Sequence, residues 1–317
     1  MKKDPLLARV HPELRAAFAQ MPALDLFSDI NGTRKMNEEM FKNMPVDESV
    51  PISTQAIPTL DGTTKIPLRI YRPQKQTEKL PGLLYIHGGG YVLGFAAMSD
   101  PLCQKIVRDV NCIVVSVDYR LAPEYPFPAG LEDCYAALLW MADPQNSLDI
   151  DTEKLAVAGA SAGGGLTAAL TLMVRDKGGP ALTCQLPLCP MLDDRNLTPS
   201  SHEFTDARLW NRETNLKAWQ MYLGENRQEV PPYAAPARAK DLSGLPPTYT
   251  YVGELDLFRD ETIDYVTRLM QAGVSTEFHI YPGCFHGFEN FVPQAEISKR
   301  ATEEFILYLK NAFWPSV

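Results

Sequence analysis

Short apolar runs alternate along this chain with segments whose apolar residues recur every three or four positions. The run Cys112–Val117 is β-branched and largely apolar, which is typical of a strand that is covered on both faces. Upstream, Asp61-Gly62 separates two extended runs and predicts a β-hairpin between Ile52 and Arg72. Five further runs predict strands: Gly82–Ile86, Leu155–Ala158, Gln185–Cys189, Thr248–Val252 and Thr276–Tyr281.

Helical periodicity fills the intervals between these strand candidates. Near the N-terminus, His11–Gln20 predicts a short amphipathic helix with Leu14 and Phe18 on its apolar side. Strands that alternate with helices predict a mostly parallel sheet with right-handed crossovers. The predicted helices of the alternating part are Met98–Arg108, Ala129–Met141, Gly163–Arg175, Phe258–Gln271 and Ile297–Phe313.

One segment interrupts the alternation, because residues 195–236 lie between two strand candidates and are too many for a simple connection. The segment is rich in aromatic residues, and its residues Arg212–Tyr222 predict a helix. We interpret 195–236 as a cap insertion that forms a lid with the N-terminal helices of residues 1–50. The alternative is a packed helical excursion without a gating role. Residues 51–194 and 237–317 then form the main α/β domain.

Composition and charge narrow the class of protein. The 317 residues are 45% hydrophobic and 22% charged, as in an ordinary folded protein. The net charge of -9 argues against nucleic acid or an anionic membrane as a partner, because such surfaces attract basic proteins. No stretch reaches the roughly 18 apolar residues of a membrane span, and the polar start lacks the apolar core of a signal peptide. We therefore expect a cytoplasmic protein without stable membrane insertion, whose six scattered cysteines are buried, reduced thiols.

The strongest chemical signal is Gly159-Ala160-Ser161-Ala162-Gly163, which follows a strand candidate and opens a helix rich in glycine and alanine. This is the G-x-S-x-G pattern in the strand–turn–helix context that a nucleophilic serine requires. The sharp turn strains the serine and holds its hydroxyl above the sheet, and small neighbours let strand and helix approach closely. The alternative is a tight turn with an accidental serine.

A second signal, His87-Gly88-Gly89-Gly90-Tyr91, directly follows another strand candidate. Three successive glycines expose backbone N–H groups that can bind an oxyanion. The alternatives are a flexible glycine loop or a phosphate-binding loop, although the sequence here lacks the Lys-Ser/Thr and G-x-G-x-x-G patterns of phosphate loops. We expect His87 to orient the loop rather than to act as a base.

A third signal is the pair Asp256 and His286, each of which follows a strand candidate. Both residues are therefore expected in loops at the carboxyl edge of the sheet, where sites of α/β proteins form. With Ser161 they give the chain order nucleophile, acid, base. A neutral imidazole can take the serine proton near neutral pH, and a carboxylate would fix its tautomer. Glu254 and Asp260 are the rival candidates for the acid.

Together these blocks resemble the α/β-hydrolase superfamily, and specifically its carboxylesterases similar to hormone-sensitive lipase. The resemblance also rests on DYRLAPE at residues 118–124 and extends from about residue 50 to residue 317. It implies an α/β-hydrolase fold, with a mostly parallel sheet flanked by helices and a helical cap, in which the main domain is catalytic. It implies Ser161, Asp256 and His286 as the catalytic triad. The other residues implied are Gly89, Gly90 and Ala162 as oxyanion donors, Gly88, Tyr91 and Glu254 in support, and Arg120 and Glu124 bracing the site from below.

The residue before the nucleophile departs from the family pattern. Members usually carry Asp or Thr there, whereas this chain has Ala160. The side chain of alanine cannot form a hydrogen bond to the neighbouring loops, and the subfamily to which the chain belongs stays open. We predict that packing holds the turn instead.

The resemblance implies that the chain hydrolyses short- to medium-chain carboxylic esters through an acyl-enzyme, with a small-molecule ester as its partner and without cofactor or metal. Leu209 and Trp210 in the cap insertion are expected to restrict the substrate pocket. The same triad would also suit lactones, amides or acetylated sugars, since specificity depends on pocket residues. Some relatives are non-catalytic small-molecule receptors, against which the intact triad argues. The run Thr276–Tyr281 is expected at a sheet edge, where pairing with a second copy would give a homodimer.

Overall fold

The computed structural model describes residues 5–42, 47–146, 148–225 and 228–315. The strands within those ranges are β1 (Ile52–Pro58), β2 (Lys65–Tyr71), β3 (Leu80–Ile86), β4 (Ile113–Val117), β5 (Ile150–Ala160), β6 (Cys184–Leu188), β7 (Thr248–Leu255) and β8 (Thr276–Phe285). They form one sheet in the order β1-β2-β4-β3-β5-β6-β7-β8. The six strands from β4 to β8 in this order are parallel, and β1 and β2 are antiparallel to their neighbours. The predicted mostly parallel sheet is confirmed.

The antiparallel edge is the hairpin that the sequence predicts. Pro58 pairs with Lys65, and the Thr59 N–H donates to the Thr64 carbonyl across the turn at 3.0 Å. Gly62 adopts a φ of 69° within this turn, a conformation that costs glycine little. In contrast, every residue of β3 and β4 is buried, as expected for strands that helices cover on both faces.

The strand order reverses at the centre of the sheet. The chain runs from β3 to its neighbour β4 and then returns to β5 on the other side of β3. Sites in open parallel sheets form beyond the carboxyl ends of the strands at such a switch point. Ser161 directly follows β5 at this position.

Helices cover both faces of the sheet. Their bounds are α1 (Pro5–Arg9), α2 (Arg15–Gln20), α3 (Ile30–Phe41), α4 (Asp100–Val110), α5 (Ala129–Ala142), α6 (Ala162–Lys177), α7 (Pro199–Glu203), α8 (Arg212–Leu223), α9 (Arg259–Gln271), α10 (Phe288–Phe291) and α11 (Glu296–Phe313), with 3-10 turns at Ala96–Ser99 and Pro236–Arg238. On one face α4 packs against α11. On the other face α5 packs against α6, and α6 shares an apolar cluster with α9.

The predicted helix His11–Gln20 is wrong at its start, because the structure places residues 11–14 in a turn and begins α2 at Arg15. The Val10 carbonyl, which would accept the first hydrogen bond of a longer helix, has another donor, and a tertiary contact fixes the backbone at His11. The His11 N–H donates to the Gly283 carbonyl at 2.8 Å, and the Arg15 side chain donates to the Val10 carbonyl at 2.7 Å. Leu14 and Phe18 are nevertheless fully buried, as predicted.

The two predicted cap segments contact each other. The Leu24 N–H donates to the Ala207 carbonyl at 2.7 Å, and the rings of Phe27 and Trp210 meet edge to face at 6.0 Å. Residues 1–4 and 43–46 of the first segment, 226 and 227 of the second, and 147, 316 and 317 of the main domain lie outside the described ranges. The division into a cap and a main domain stays a prediction.

Two other features of the described chain bear on the sequence analysis. All six cysteines are buried and none is in a disulfide, as predicted. No helix in the described ranges combines the length and the apolar character that crossing a membrane would need.

Candidate active site

Ser161 lies in a tight turn between β5 and α6. Its φ of 59° and ψ of -120° are rare for a residue with a side chain, so the turn is strained as the motif predicts. Backbone hydrogen bonds hold it: the Ser161 N–H donates to the Leu188 carbonyl at 2.9 Å, and the Ser161 carbonyl accepts from Gly165 at 2.9 Å and Met191 at 3.0 Å. The strain is thus balanced by contacts with two neighbouring segments.

Close packing around the turn explains its glycines. A β-carbon on Gly163 would lie 2.0 Å from the Ile86 carbonyl oxygen, and one on Gly159 would lie 2.5 Å from the Gly163 carbonyl oxygen. Either contact would push α6 away from β3 and β5. Ala160 itself packs against the apolar core. Packing and backbone hydrogen bonds are therefore what hold this turn, in line with the prediction from Ala160.

The structure brings Ser161, Asp256 and His286 together. The Ser161 hydroxyl lies 2.9 Å from His286 Nε2, and Asp256 Oδ2 lies 2.7 Å from His286 Nδ1. Since a carboxylate only accepts, Nδ1 carries the proton and Nε2 presents its lone pair to the serine hydroxyl. The second carboxylate oxygen, Oδ1, accepts from the Phe258 N–H at 2.9 Å. The three side chains form one directed chain of hydrogen bonds.

The surroundings of His286 set its proton affinity. Only 12% of its side chain is exposed, and the Phe258 ring meets it edge to face at 5.0 Å. Burial alone would lower the pKa of this imidazole. The Asp256 carboxylate, by its charge and its hydrogen bond, together with Glu289, outweighs burial and raises the pKa of His286 above its ordinary value. The imidazole is therefore a stronger base than a free histidine.

The two rival acids have other partners. Glu254 Oε2 accepts from the Gly283 N–H at 2.8 Å, which ties β7 to the end of β8. Asp260 is paired with Arg259 at 2.7 Å and accepts from the Ser200 N–H, also at 2.7 Å. Of the three candidate acids, the one that contacts His286 is Asp256.

The glycine loop of residues 87–91, called the oxyanion loop below after its predicted role, lies beside the serine. A β-carbon on Gly88 would be 3.4 Å from Ser161 Cβ. Gly89 and Gly90 have φ values of 125° and 61°, which turn the backbone sharply, and a β-carbon on Gly89 would lie 2.0 Å from the Leu93 carbonyl oxygen. Glycine is therefore required at position 89 for the loop to turn as it does.

Three backbone donors near the serine are unused. In the described chain, the N–H groups of Gly89, Gly90 and Ala162 donate to no other protein group. Ala162 is the first residue of α6, whose N-terminal end carries positive partial charge. The loop and the helix thus offer N–H groups where negative charge on an oxygen could be stabilised.

Comparison with known proteins agrees with this geometry. A family model described as the alpha/beta hydrolase fold matches residues 83–290. The chain belongs to the α/β-hydrolase family. Its resemblance to the branch that includes hormone-sensitive lipase is confirmed.

Individual relatives of this hydrolase are esterases. Carboxylesterase NlhH of Mycobacterium tuberculosis is 39% identical over 256 residues, which cover 80% of this chain and 80% of that protein. An arylesterase of Saccharolobus solfataricus is 35% identical over 259 residues, covering 80% and 82%. The solved structure of a bacterial heroin esterase is 40% identical, with a TM-score of 0.92 over 97% of this chain and 99% of that chain.

Tyr91 braces the oxyanion loop of this hydrolase. Its hydroxyl donates to the Met191 carbonyl at 2.9 Å, and its ring stacks on Tyr222 at 3.9 Å. A β-carbon on Gly165 would lie 2.2 Å from the same hydroxyl, so α6 also contacts it closely. Tyr91 therefore joins the loop to the segment after β6 and to α8.

The DYRLAPE block contributes two ion pairs. Arg120 donates to Asp133 of α5 at 2.8 Å. Glu124 pairs with Arg34 of α3 at 2.8 Å, and the same guanidinium donates to the carbonyls of Val92 and Ala122 at 2.9 and 2.8 Å. Sequence reasoning missed Arg34, which ties the first cap segment to the backbone next to the oxyanion loop.

Two buried acids near the site were also missed. Glu261 Oε1 accepts from the Leu192 N–H at 2.7 Å and so holds the segment after β6, while its Oε2 is buried without a partner in the described chain. Burial raises the pKa of Glu261 and of Glu289. No pattern in the sequence marks either residue, because their burial depends on tertiary packing.

Of the two predicted pocket residues, Trp210 lies against the oxyanion loop. Trp210 Cη2 is 2.2 Å from the position that a β-carbon on Gly90 would take, so the indole covers this glycine. The indole N–H donates to Asn215 Oδ1 at 3.0 Å, which fixes its orientation. Leu209 is buried in the core beside it.

In the described residues, no three His, Cys, Asp or Glu side chains are grouped so that they could hold a metal ion.

Proposed function

We propose that this chain is a serine carboxylesterase in which Ser161, His286 and Asp256 act as nucleophile, base and orienting acid. The observation that carries the proposal is the hydrogen-bond chain from the Ser161 hydroxyl through the His286 imidazole to the Asp256 carboxylate. The three relatives compared above support it, since each is named an esterase. This geometry can turn a weakly acidic hydroxyl into a nucleophile at neutral pH.

Acylation begins when Ser161 Oγ attacks the acyl carbon and its proton passes to His286 Nε2. The carbonyl oxygen becomes an oxyanion, which accepts hydrogen bonds from the N–H groups of Gly89, Gly90 and Ala162. When the intermediate collapses, the bond to the alcohol oxygen breaks and the leaving alkoxide takes the proton from His286. The products are the free alcohol and an acyl ester on Ser161.

Deacylation repeats the sequence with water. His286 Nε2 takes a proton from the water, whose oxygen attacks the acyl carbon, and the same three N–H groups stabilise the second oxyanion. Collapse breaks the bond to Ser161 Oγ, which recovers its proton from His286. The carboxylic acid leaves, and Asp256 keeps the imidazole oriented throughout.

Short- to medium-chain esters are the proposed substrates. Trp210 covers Gly90 and is held by Asn215, and Phe27 packs against its edge, so a fixed wall stands next to the oxyanion donors. We propose that this wall and the neighbouring Leu209 limit the size of the substrate. Lactones, amides and acetylated sugars are the alternative substrates, since the same chemistry applies to them.

Initial rates on a series of p-nitrophenyl esters from acetate to palmitate test the proposal. We expect the highest kcat/KM between acetate and octanoate, whereas a preference for palmitate would overturn the proposed chain length. A lactone, an aryl amide and an acetylated sugar measured beside them test the alternative hydrolases. If the protein binds these compounds but turns over none of them, the result would favour the alternative of a non-catalytic small-molecule receptor.

Two further predictions concern the whole molecule. Strand β8 has one neighbour in the sheet, β7, and Ile280 on it is 41% exposed, so a second copy could pair along this edge. Light scattering on the purified protein distinguishes the proposed homodimer from a monomer. The cytoplasmic location also stays a prediction.

A further inference from the structure

Residues 189–193, which follow β6, form an irregular segment that is buried along its whole length. We call it the bridging segment. Because these residues belong to no helix or strand, each buried polar group of their backbone needs a partner from another part of the chain. The Cys189 N–H donates to the Tyr251 carbonyl of β7 at 2.8 Å, and the Leu192 carbonyl accepts from the Ala237 N–H at 3.2 Å. The position of the segment therefore depends on its neighbours.

The bridging segment contacts both parts of the proposed catalytic machinery. The Met191 N–H donates to the Ser161 carbonyl at 3.0 Å, and the Met191 carbonyl accepts from the Tyr91 hydroxyl at 2.9 Å. One residue is thus bonded to the turn of the nucleophile and to the oxyanion loop. A β-carbon on Gly165 would lie 2.2 Å from the Met191 carbonyl oxygen, so the first turns of α6 also pack closely against the segment. A displacement of Met191 would change where the nucleophile and the oxyanion donors lie relative to each other.

Glu261 holds the next part of the bridging segment. Its Oε1 atom accepts from the Leu192 N–H at 2.7 Å and from the Asp193 N–H at 3.3 Å. Glu261 is 2% exposed and lies in the first turn of α9, just after the triad residue Asp256 in the chain. Its carboxyl group thus joins the segment to the helix that follows the proposed orienting acid.

The two N–H groups that Glu261 binds depend on this side chain. In the part of the chain that the structure describes, Glu261 is their one hydrogen-bond partner. An apolar side chain at position 261 would leave two buried donors unsatisfied, which is costly, so the backbone of Leu192 and Asp193 is expected to shift toward other acceptors. Since Met191 directly precedes these residues, its bonds to Ser161 and Tyr91 would shift with them.

We propose that Glu261 is a positioning residue for the ester hydrolysis proposed above. By holding the bridging segment, it fixes the turn of Ser161 and, through Tyr91, the oxyanion loop. The inference rests on the proposed function and names a residue outside the triad that the reaction needs. Glu261 acts through Met191 and Leu192, whose backbone carries the connection.

Steady-state kinetics of the full chain on p-nitrophenyl acetate, well below the melting temperature of every variant, test this role. Glu261→Leu removes both acceptor oxygens. Glu261→Gln keeps the length of the side chain and one oxygen for the two N–H groups. Burial raises the pKa of Glu261 against the hydrogen bonds from these groups, so a neutral amide resembles the carboxyl group that it replaces. Val266→Ala is the matched control, since Val266 is a buried residue of α9 that does not belong to the apolar cluster of Leu192.

We expect Glu261→Leu and Val266→Ala both to lower the melting temperature, and only Glu261→Leu to lower kcat. Because a small displacement of the nucleophile and of the oxyanion donors weakens the transition state, kcat of Glu261→Leu should fall about tenfold. Its KM should change by less than about threefold, since the lost stabilisation belongs to the transition state. Glu261→Gln should recover most of the loss in kcat.

A double-mutant cycle with Tyr91→Phe tests whether Glu261 acts through the bridging segment. Tyr91→Phe removes the hydroxyl that donates to the Met191 carbonyl. If the segment has already moved in Glu261→Leu, the further loss of kcat from Tyr91→Phe should be smaller there than in the unmodified chain. Losses that simply multiply would show that the two residues act independently and would overturn the inference.

The kinetic results separate this inference from the proposed function. A Glu261→Leu protein whose kcat falls no further than that of Val266→Ala would overturn the inference and leave the esterase proposal standing. Absence of ester turnover by the unmodified chain would overturn both. If Glu261→Leu does not fold, Glu261→Asp takes its place, because it keeps the charge and is one carbon too short to reach the same N–H groups. A kcat of Glu261→Asp below that of Glu261→Gln then supports the positioning role, and an equal or higher value contradicts it.

Discussion

Trp210 lies directly over Gly90: its Cη2 atom is 2.2 Å from the position that a β-carbon on this glycine would occupy. The cap insertion therefore covers the oxyanion loop with an aromatic ring at a residue without a side chain, in addition to the stacking of Tyr222 on Tyr91. Asn215 holds the indole N–H, and Phe27 of the first cap segment packs against the ring. Both cap segments thus influence where the proposed oxyanion donor of Gly90 lies.

Gly90→Ala should disturb this donor. The added methyl group would overlap with the indole of Trp210, and alanine tolerates the φ of 61° poorly. Because a donor displaced by about 1 Å loses most of its effect, we expect kcat/KM to fall about 100-fold. Removing the indole in Gly90→Ala/Trp210→Ala should restore part of the loss. Gly273→Ala is the matched control, since Gly273 has a φ of 83° but open space around it; activity there should remain.

Asp256→Asn should abolish most of the activity without unfolding the protein. An amide can donate to His286 Nδ1 and so stabilise the tautomer that cannot accept the serine proton. In such triads the cost in kcat is about 10⁴-fold. Glu254→Gln and Asp260→Asn remove the rival carboxylates and should cost far less. A larger loss of kcat in either of these variants than in Asp256→Asn, with the melting temperature retained in all three, would assign the acid differently.

The pH dependence of the reaction should report His286. The base works only when the imidazole is neutral, and the Asp256 carboxylate raises the pKa of His286 against the effect of burial. A raised pKa means that the imidazole protonates at higher pH, so activity should decline on the acid side with a midpoint above about 6.5. Measuring kcat/KM from about pH 5 to about pH 9 checks this. A profile that is flat down to about pH 5 would argue against an imidazole base.

Arg34 should matter for stability more than its ion pair alone suggests. Its guanidinium donates to the carbonyls of Val92 and Ala122 as well as to Glu124. Arg34→Met leaves both carbonyls without this donor, and we expect the free energy of unfolding to fall by about 1–3 kcal/mol. Glu124→Gln keeps the two backbone contacts and should cost less than about 1 kcal/mol, because 46% of the Glu124 side chain is exposed. Urea denaturation of both variants measures the difference; equal losses would assign the effect to the ion pair.

Much of the fold is predictable because its elements have local signals. The runs that become β3, β4 and β5 are apolar enough to require cover on both faces, and Asp61-Gly62 fixes the hairpin. The meeting of Ser161, Asp256 and His286 follows from the same logic, since parallel strands place the residues after them at one edge of the sheet. Each of these features can be predicted because it depends on residues adjacent in the sequence, or on the parallel topology that alternating strands and helices impose.

What could not be predicted depends on contacts between distant segments. Arg34 meets Val92 and Glu124 only after the first cap segment has packed beside the oxyanion loop. The helix expected from His11 begins later because the Val10 carbonyl accepts from the Arg15 side chain and the Leu14 N–H bonds to the His11 carbonyl, in a turn that the His11 N–H anchors to Gly283. Glu261 looks like an ordinary acid near a helix N-terminus, and its burial under the segment after β6 is visible only in the structure. Local pattern carries no information on such partners.

The most direct test of the account compares Ser161→Ala with Ser243→Ala, which changes an exposed serine far from the motif. Ester turnover and the mass of the intact protein after treatment with a fluorophosphonate probe are measured on both variants and on the unmodified chain. We expect Ser243→Ala to turn over ester and to gain one probe adduct. Ser161→Ala should keep its melting temperature, lose more than about 10⁴-fold in kcat and gain no adduct. A Ser161→Ala protein that retains a few percent of turnover, or that is still labelled, would contradict the account.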